Sequence, residues 1–352
     1  FLARIQLTLG NNQAASTLAQ KVIADYPYKL VPKYADLWKM ANIKNTEVIW
    51  ACNYTSDLTL SDLTNAVTNP DGHPRGGNNG HLHFGMAYER TATGSIGMVR
   101  DVANGRPFVR YMPTKFLLEV FDETKDSRYA GTFKTAWICN KAGKYKKKVG
   151  TEEIEVDLKL GDTAIVATKY EIPDDIDKVK KYFIIDQSKM YKADGSFNGN
   201  AMFVALQKFD DPTRPTFNEA QSGRDAFIIR LAEMYMIAAE AEMNLGNKTK
   251  AAELINVLRT RAALPGKEAA MQVSASDMTI DFILDERARE FAGEQLRWFD
   301  LKRTGKLVER VKKYNFAATS AIQDFHNIRP IPQKQIDAVT NKSEFVQNPG
   351  YK

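Results

Sequence analysis

Cysteine and histidine are scarce in this chain of 352 residues, which has two cysteines and four histidines. Cys52 and Cys139 lack the spacing of metal ligands, so no cysteine-based metal site is predicted. They could form a disulfide or remain buried free thiols, because sequence does not show whether two residues come within bonding distance. The chain also lacks a run of about 20 apolar residues, so no membrane-spanning helix is predicted.

The short motifs of several enzyme classes are missing as well. There is no GxSxG nucleophile motif. The GGNNG segment at 76–80 lacks the lysine and the strand–helix frame of a phosphate-binding loop. The net charge of +6 is modest, and its one dense basic run, KAGKYKKK at 141–148, predicts the exposed tip of a β-hairpin. We therefore predict no catalytic residue, no cofactor and no nucleic-acid partner.

Apolar residues at three- and four-residue steps predict one long helix over 277–303. Beside them, Arg287, Glu290, Glu294 and Arg297 fall at steps that predict a ladder of ion pairs along one helix face. The two glutamates could instead be the carboxylate pair of a glycosidase. However, neighbouring arginines lower a carboxylate pKa, which is unsuitable for a general acid. We interpret this helix as structural.

A repeated pattern surrounds Gly10 and Gly246, where a Leu-Gly-Asn turn is followed by alanine five residues after the glycine. This pattern is typical of tetratricopeptide helix pairs, in which glycine adopts a positive φ at the turn. We expect helix pairs at 1–24 and 228–261. Because such pairs need stacked neighbours, they should pack on each other or on helices from a missing upstream part.

The middle of the chain differs from these helical ends. Residues 53–110 are rich in Asn, Gly, Asp and Thr, which favours loops. A short helix is expected at 113–122, and strand-like runs between 128 and 210 predict one or two small antiparallel sheets. The fold class is thus α+β, mainly helical, with a tetratricopeptide-like scaffold and an irregular, loop-rich lobe. The domains expected are 1–52 (N-terminal helices), 53–226 (ligand-binding lobe) and 227–352 (C-terminal helices).

The long loop at 70–111 is the candidate binding region, since long loops in compact domains usually have a function. Sugar rings stack on aromatic side chains, and sugar hydroxyls pair with amides and charged groups. Residues of both kinds occur here, and Trp137 lies on a nearby strand-like run, although any single residue of these types is more often a core or surface residue than a ligand contact. The predicted ligand-binding residues are Asn78, Asn79, His81, His83, Phe84, Tyr88, Phe108, Arg110, Tyr111 and Trp137.

Metal binding and a solvated loop are the alternatives for the histidines of this loop. His73, His81 and His83 would need a further ligand such as Asp71 or Glu89, and the spacing does not indicate one. The segment DGSFNGN at 194–200 matches the start of a calcium loop. Ala205 stands where that loop requires a bidentate glutamate, so a hairpin turn is predicted there and no metal site.

Several motifs resemble those of the SusD/RagB-like nutrient-binding lipoproteins of Bacteroidota. The most specific is DERAREFAGEQLRWFDLKRTG at 285–304, which departs from the family pattern in placing Gly293 before Glu294. Four further segments resemble the family in the same order along the chain, namely 110–133 (RYMPTKFLLEVFDETKDSRYAGTF), 228–247 (IIRLAEMYMIAAEAEMNLGN), 329–336 (RPIPQKQI) and 347–351 (QNPGY).

The resemblance implies a surface-exposed outer-membrane lipoprotein that binds a glycan and delivers it to a TonB-dependent transporter of the SusC type. It implies no catalysis. The lipid anchor would lie in a segment upstream of Phe1. Three alternatives remain open: a RagB-like peptide-binding protein, a glycan hydrolase using carboxylates such as Glu89 or Glu171, and a helical adaptor for protein clients.

Overall fold

A computed structural model describes residues 1–55, 78–89, 96–341 and 343–351. The chain divides into two compact units, Phe1–Glu294 and Gln295–Lys352. The architecture confirms the predicted fold class, α+β and mainly helical with small sheets. The three domain ranges expected from sequence remain a prediction. No helix of the described ranges is long and apolar enough to cross a membrane.

The first unit contains most of the regular elements. Its α-helices are α1 (Leu2–Thr8), α2 (Asn12–Asp25), α3 (Gly80–His83), α4 (Lys115–Glu119), α5 (Arg128–Thr132), α6 (Asp174–Lys178), α7 (Gln187–Met190), α8 (Leu231–Asn244), α9 (Lys248–Ala262), α10 (Glu268–Met271) and α11 (Ile280–Glu290). Short 3-10 helices lie at Tyr34–Trp38, Met40–Asn42 and Ala275–Asp277. Its strands are β1 (Val48–Cys52), β2 (Phe133–Lys134), β3 (Ala136–Ile138), β4 (Gly143–Val149), β5 (Glu152–Leu158), β6 (Thr163–Ala167), β7 (Phe183–Ile185), β8 (Ala205–Leu206) and β9 (Ala226–Arg230).

The two predicted helix pairs are confirmed as α1–α2 and α8–α9. Each turns at its glycine, with φ of 80° at Gly10 and 87° at Gly246, a conformation that glycine adopts at little cost. The pairs pack on each other through α2 and α8. On α2, Ala15 is completely buried, and the Ser16 hydroxyl donates a hydrogen bond to the Glu242 carboxylate of α8. The stacking expected of tetratricopeptide-like hairpins therefore occurs within this chain.

Small sheets form most of the irregular lobe. β3, β6 and β7 make one sheet, in which β3 and β6 are antiparallel but β6 and β7 are parallel, contrary to the expectation of antiparallel pairing alone. β1 pairs with β9 and β2 with β8. The lobe core lies around Phe133, Trp137 and Phe203.

The basic run at 141–148 is not a hairpin tip, so that prediction is wrong. It forms β4, which pairs along its length with β5, and the turn lies beyond it at Gly150. Lys146 pairs with Glu153 across the two strands at 2.7 Å. Lys147 faces the opposite side, is buried, and lies 2.9 Å from the Asp177 carboxylate. The alternation of a strand therefore places these lysines on opposite faces, whereas a hairpin tip would expose both to solvent.

The long helix predicted over 277–303 is also wrong, because α11 ends at Glu290 and the next helix starts at Arg297. Gly293 and Gln295 have φ of 78° and 62°, which a right-handed helix does not accommodate. A Cβ on Gly293 would lie 2.6 Å from Leu206 Cδ2. The glycine therefore allows the backbone to pass close to β8.

The predicted ladder of ion pairs is replaced by a buried ion network that joins distant elements. We call it the buried ion network, and it consists of Glu47, Asp126, Arg128, Arg230, Arg259, Arg261, Glu286 and Glu290.

Glu290 is the centre of this network. It lies 2.6 Å from Arg261 of α9, 2.7 Å from Arg230 of β9 and 3.1 Å from Arg128 of α5. Burial by itself would raise the pKa of Glu290, but the three guanidinium groups outweigh burial and hold the pKa well below its ordinary value. The interpretation of this glutamate as structural, and unsuited to act as a general acid, is consistent with that geometry.

Trp38, Trp50 and Trp298 lie within regular apolar patterns of the sequence, which predict that all three pack, but they differ in burial. Trp38 is buried against Phe227, and their ring centroids lie 5.7 Å apart. Trp50 is 53% exposed, so the packing prediction is wrong there. Among the cysteines, which are both free thiols, Cys52 is exposed and Cys139 is buried.

The second unit contains α12 (Arg297–Arg303), α13 (Leu307–Tyr314), a 3-10 helix at Asp324–Asn327 and α14 (Gln333–Ala338). The last of the three tryptophans predicted to pack, Trp298, lies in this unit and is partly buried, with the Arg329 guanidinium 5.2 Å from its ring centroid. The Tyr351 hydroxyl donates to the Ile328 carbonyl at 2.6 Å, which fixes the terminal segment.

Candidate functional site

The described end of the long loop, from Asn78 onward, is anchored to the segment before β9. The backbone amides and carbonyls of Asn78 and Ser222 pair in both directions, at 2.9 and 3.1 Å. The Asn78 side chain accepts a hydrogen bond from the Gly80 amide at 2.8 Å, which helps to start the single turn of α3. Asn78 is therefore a positioning residue for the loop.

The segment 106–111 lies along α3 and brings its aromatic residues beside those of the helix. The Phe108 amide donates to the Leu82 carbonyl at 2.6 Å, and the Arg110 and Tyr111 amides both donate to the His83 carbonyl at 3.0 Å. These bonds hold the segment 106–111 against α3, so the side chains of the two segments have a fixed arrangement.

Four rings meet at this junction: His83, Phe84, Phe108 and Tyr111. The His83 centroid lies 6.1 Å from Phe108 and 5.9 Å from Tyr111, and Phe84 lies 5.0 Å from Tyr111. Phe108 is 36% exposed and Tyr111 is 56% exposed. We call these four residues the aromatic surface.

The aromatic surface is supported from behind by the core. Phe84 packs on Phe209 with centroids 5.0 Å apart, and Phe209 in turn contacts Trp38 at 6.3 Å. Sequence reasoning missed Phe209, which lies in a run predicted only as a strand. A supported aromatic surface changes little on binding, so a ligand there would lose little affinity to side-chain ordering.

Val109 has a φ of 54°, an unusual conformation for a β-branched residue. Its side chain packs against the lobe core, whereas its neighbours Phe108 and Arg110 are exposed. Strained residues of this kind persist where the surroundings fix them and are frequent at binding sites. The strained backbone at Val109 therefore favours the segment with Phe108 and Arg110 as a candidate binding segment.

Two predicted ligand-binding residues do not belong to this surface. Tyr88 is 1% exposed and Trp137 is 2% exposed, and both lie in the lobe core. The Tyr88 hydroxyl donates to the Gly105 carbonyl at 2.6 Å, and burial raises the Tyr88 pKa well above its ordinary value. We therefore assign both side chains to packing.

The polar residues of α3 lie deeper than the rings. His81 is buried, and its burial, together with the nearby Arg214 charge, lowers its pKa to about 4, so the ring is neutral at pH 7. The carbonyls of Asn78 and Glu219 are close to the ring but not in hydrogen-bonding geometry. The side-chain oxygen of Asn79 is buried without a hydrogen-bond partner among the described residues. Because the His81 ring and the Asn79 side-chain oxygen are buried, they are not accessible to a surface ligand as Phe108 and Tyr111 are.

The metal alternatives find little support in the described parts of the chain. No group of three or more His, Cys, Asp or Glu side chains there is arranged to hold a metal ion. His73 and Asp71 lie outside the described residues. In the 194–200 segment, Asp194 accepts hydrogen bonds from the amide and hydroxyl of Ser196 at 2.8 and 2.6 Å, which confirms the predicted turn.

A sequence model described as the SusD family matches residues 46–351. The chain is 26% identical to SusD-like protein P25 of Formosa agariphila, over 99% of this chain and 58% of that protein. It is 28% identical over 160 residues to the starch-binding protein SusD of Bacteroides thetaiotaomicron, over 44% of this chain and 27% of that protein. The chain thus spans less than two thirds of the length of these relatives.

Solved structures show the same fold. The surface glycan-binding protein A from Bacteroides thetaiotaomicron, in complex with laminarihexaose, aligns with a TM-score of 0.61 and 20% identity, covering 98% of this chain and 62% of that one. A laminarin-binding SusD-like protein aligns with a TM-score of 0.55 and 21% identity, covering 99% and 61%. The resemblance noted in the motifs is confirmed, and the chain belongs to the SusD family.

Proposed function

We propose that this protein binds a glycan on the aromatic surface, without cleaving it. The supporting observation is the pair of exposed rings, Phe108 and Tyr111, held beside His83 by backbone hydrogen bonds. Sugar rings present apolar C–H faces that stack on such side chains. Relatives named for binding starch, laminarin and surface glycans support the same conclusion.

Of the sequence-predicted residues, the ligand contacts of this proposal are the four residues of the aromatic surface together with Arg110, which lies beside it. Asn78 contributes by holding the loop in place. Binding should be weak per site, because two or three stacked rings bury little area and the ligand must be released again.

Absence of catalysis is part of this proposal. Glu89, one carboxylate considered for hydrolysis, is paired with Arg100 at 2.7 Å, and Glu290 is surrounded by arginines. Paired carboxylates of this kind are poor general acids. Glu171, the other candidate, is exposed in a loop.

We propose further that the protein acts at the outer-membrane surface as a lipoprotein and delivers its glycan to a SusC-like TonB-dependent transporter. Family membership supports this. Copurification of such a transporter with the tagged native protein from outer membranes would be the expected result. Recovery of other protein clients alone would favour the adaptor alternative.

Affinity electrophoresis against a panel of polysaccharides tests glycan binding. We expect retardation by at least one polysaccharide, and its loss in the F108A/Y111A double variant. The matched control is Tyr26→Ala, which removes a ring of similar exposure from the end of α2. Retention of peptides but of no polysaccharide would refute the proposal in favour of a RagB-like role, and release of shortened glycans would refute the absence of catalysis.

A further inference from the structure

Arginine side chains in this protein are usually paired with carboxylates. Arg4 lies 2.6 Å from Glu233, Arg100 lies 2.7 Å from Glu89, and the arginines of the buried ion network are all bonded to acids. Arg106 and Arg110 differ. Within the described ranges, neither guanidinium forms an ion pair or donates a side-chain hydrogen bond, and the buried Nε of Arg106 has no partner.

Both unpaired arginines adjoin the aromatic surface. The Arg106 guanidinium carbon lies 5.2 Å from the Phe108 ring centroid, which holds the planar group against an exposed ring. Arg110 is exposed, and its charge helps burial to lower the pKa of His83. Two positive charges thus flank the rings. The lowered pKa of His83 favours its neutral form, so this ring does not add a third positive charge.

Two acidic side chains in the described part of the adjoining loops, Glu89 and Asp101, are bonded elsewhere. The Glu89 carboxylate accepts from Arg100 at 2.7 Å. The Asp101 carboxylate accepts from Asn104 at 2.8 Å and from Asn140 at 2.6 Å. These bonds order the loop that leads to Arg106, and among residues 1–55, 78–89, 96–341 and 343–351 that the structure describes, no carboxylate pairs with Arg106 or Arg110.

We infer that the aromatic surface selects glycans that carry anionic groups, with Arg106 and Arg110 as the counter-charges. This rests on the proposed glycan-binding function. A uronate carboxylate and a sulfate ester share the required chemistry, since both offer two or more acceptor oxygens to the planar donors of a guanidinium. Stacking of the sugar on Phe108 and Tyr111 would place such substituents next to the arginines.

A polysaccharide panel with three arms tests this inference on the complete chain. Polygalacturonate and alginate carry carboxylates, carrageenan carries sulfate esters, and laminarin and starch are neutral. We expect the preferred acidic glycan to bind about tenfold or more tightly than either neutral one. The stronger of the two acidic arms identifies the anionic group.

Removal of charge at the surface provides the second measurement. The R106Q/R110Q double variant should lose about tenfold or more in affinity for the acidic glycan, since charge-assisted bonds are lost. The matched control is K144Q/K146Q, which removes the same charge from exposed positions on β4.

The outcomes separate the inference from the function. Binding of neutral glycans as tightly as acidic ones, unaffected by R106Q/R110Q but lost in F108A/Y111A, would overturn the inference and leave glycan binding intact. An equal loss in the K144Q/K146Q control would also overturn it, because attraction to overall charge would then explain the binding. Failure to bind any polysaccharide would overturn both.

Discussion

The guanidinium of Arg230 lies 2.7 Å from the carboxylate of Glu290, and both side chains are buried. Arg230 is the last residue of β9 and Glu290 is the last residue of α11, so one ion pair joins the ends of these two elements. Arg230 also contacts Glu47 at 2.7 Å, just before β1. The position of β9 relative to α11 thus depends on charges that solvent does not screen.

Substitution of Glu290 by glutamine should destabilise the protein strongly. It leaves Arg128, Arg230 and Arg261 with one negative charge fewer, and removal of one partner from a buried pair costs about 3 kcal/mol or more. Denaturant unfolding should show a lower midpoint. The control Glu253→Gln removes an exposed glutamate paired with Lys250 and should change the free energy of unfolding by less than about 1 kcal/mol. Equal midpoints for the two variants would contradict a stabilising role of the network.

Acid should destabilise the folded state through the same carboxylate. Because the folded-state pKa of Glu290 is below its ordinary value of 4.5, the unfolded state binds more protons as the pH falls past that value. The contribution of Glu290 is therefore complete above the unfolded pKa and is lost as the pH falls toward the folded pKa. Unfolding free energies measured between pH 7 and about pH 3 should fall less steeply in E290Q than in the unsubstituted protein. Parallel curves would refute this.

Gly293 to alanine should cost more stability than the same change at other glycines. Gly293 combines a φ of 78° with a Cβ position 2.6 Å from Leu206 Cδ2. Gly10 has a φ of 80° but open space, and Gly199 has open space without a positive φ. We expect a loss of about 2 kcal/mol or more for G293A, about 1 kcal/mol for G10A and little for G199A. Thermal unfolding gives the order, and a G293A variant as stable as G199A would contradict the close approach to β8.

Tyr111 and Trp137 should respond to substitution in opposite ways. Tyr111→Ala removes an exposed ring, so we expect weaker glycan binding with an unchanged unfolding midpoint. Trp137→Phe creates a cavity in the core, so we expect about 1–3 kcal/mol less stability with glycan affinity retained in the folded protein. Calorimetric titration and denaturant unfolding of both variants measure the two effects. If the Trp137 variant lost glycan affinity and the Tyr111 variant did not, Trp137 would be a binding residue and the prediction would be wrong.

These differences show which parts of the fold are readable from sequence. The hairpins at Gly10 and Gly246 were predictable, because a glycine turn and helical periodicity are local patterns. The partners of Glu290 were not, because helical spacing suggested neighbours on one face, whereas a buried carboxylate takes its arginines from other elements.

The candidate site was readable only in part for a similar reason. Composition identified the loop with Phe108 and Tyr111, but it did not reveal that Tyr88 points into the core. Arg106 could have been found as a basic residue beside Pro107 and Phe108. That no acidic residue of the described ranges pairs with its guanidinium is a property of the folded chain.

The packing of α2 on α8 has a consequence for biogenesis. Ser16 and Glu242, which meet in this contact, are separated by 226 positions in sequence. While the polypeptide emerges from the ribosome, the alanine face of α2 therefore has no native partner until α8 has also been made. Such a topology slows folding and leaves the apolar face of α2 exposed until the distant helix has been synthesised.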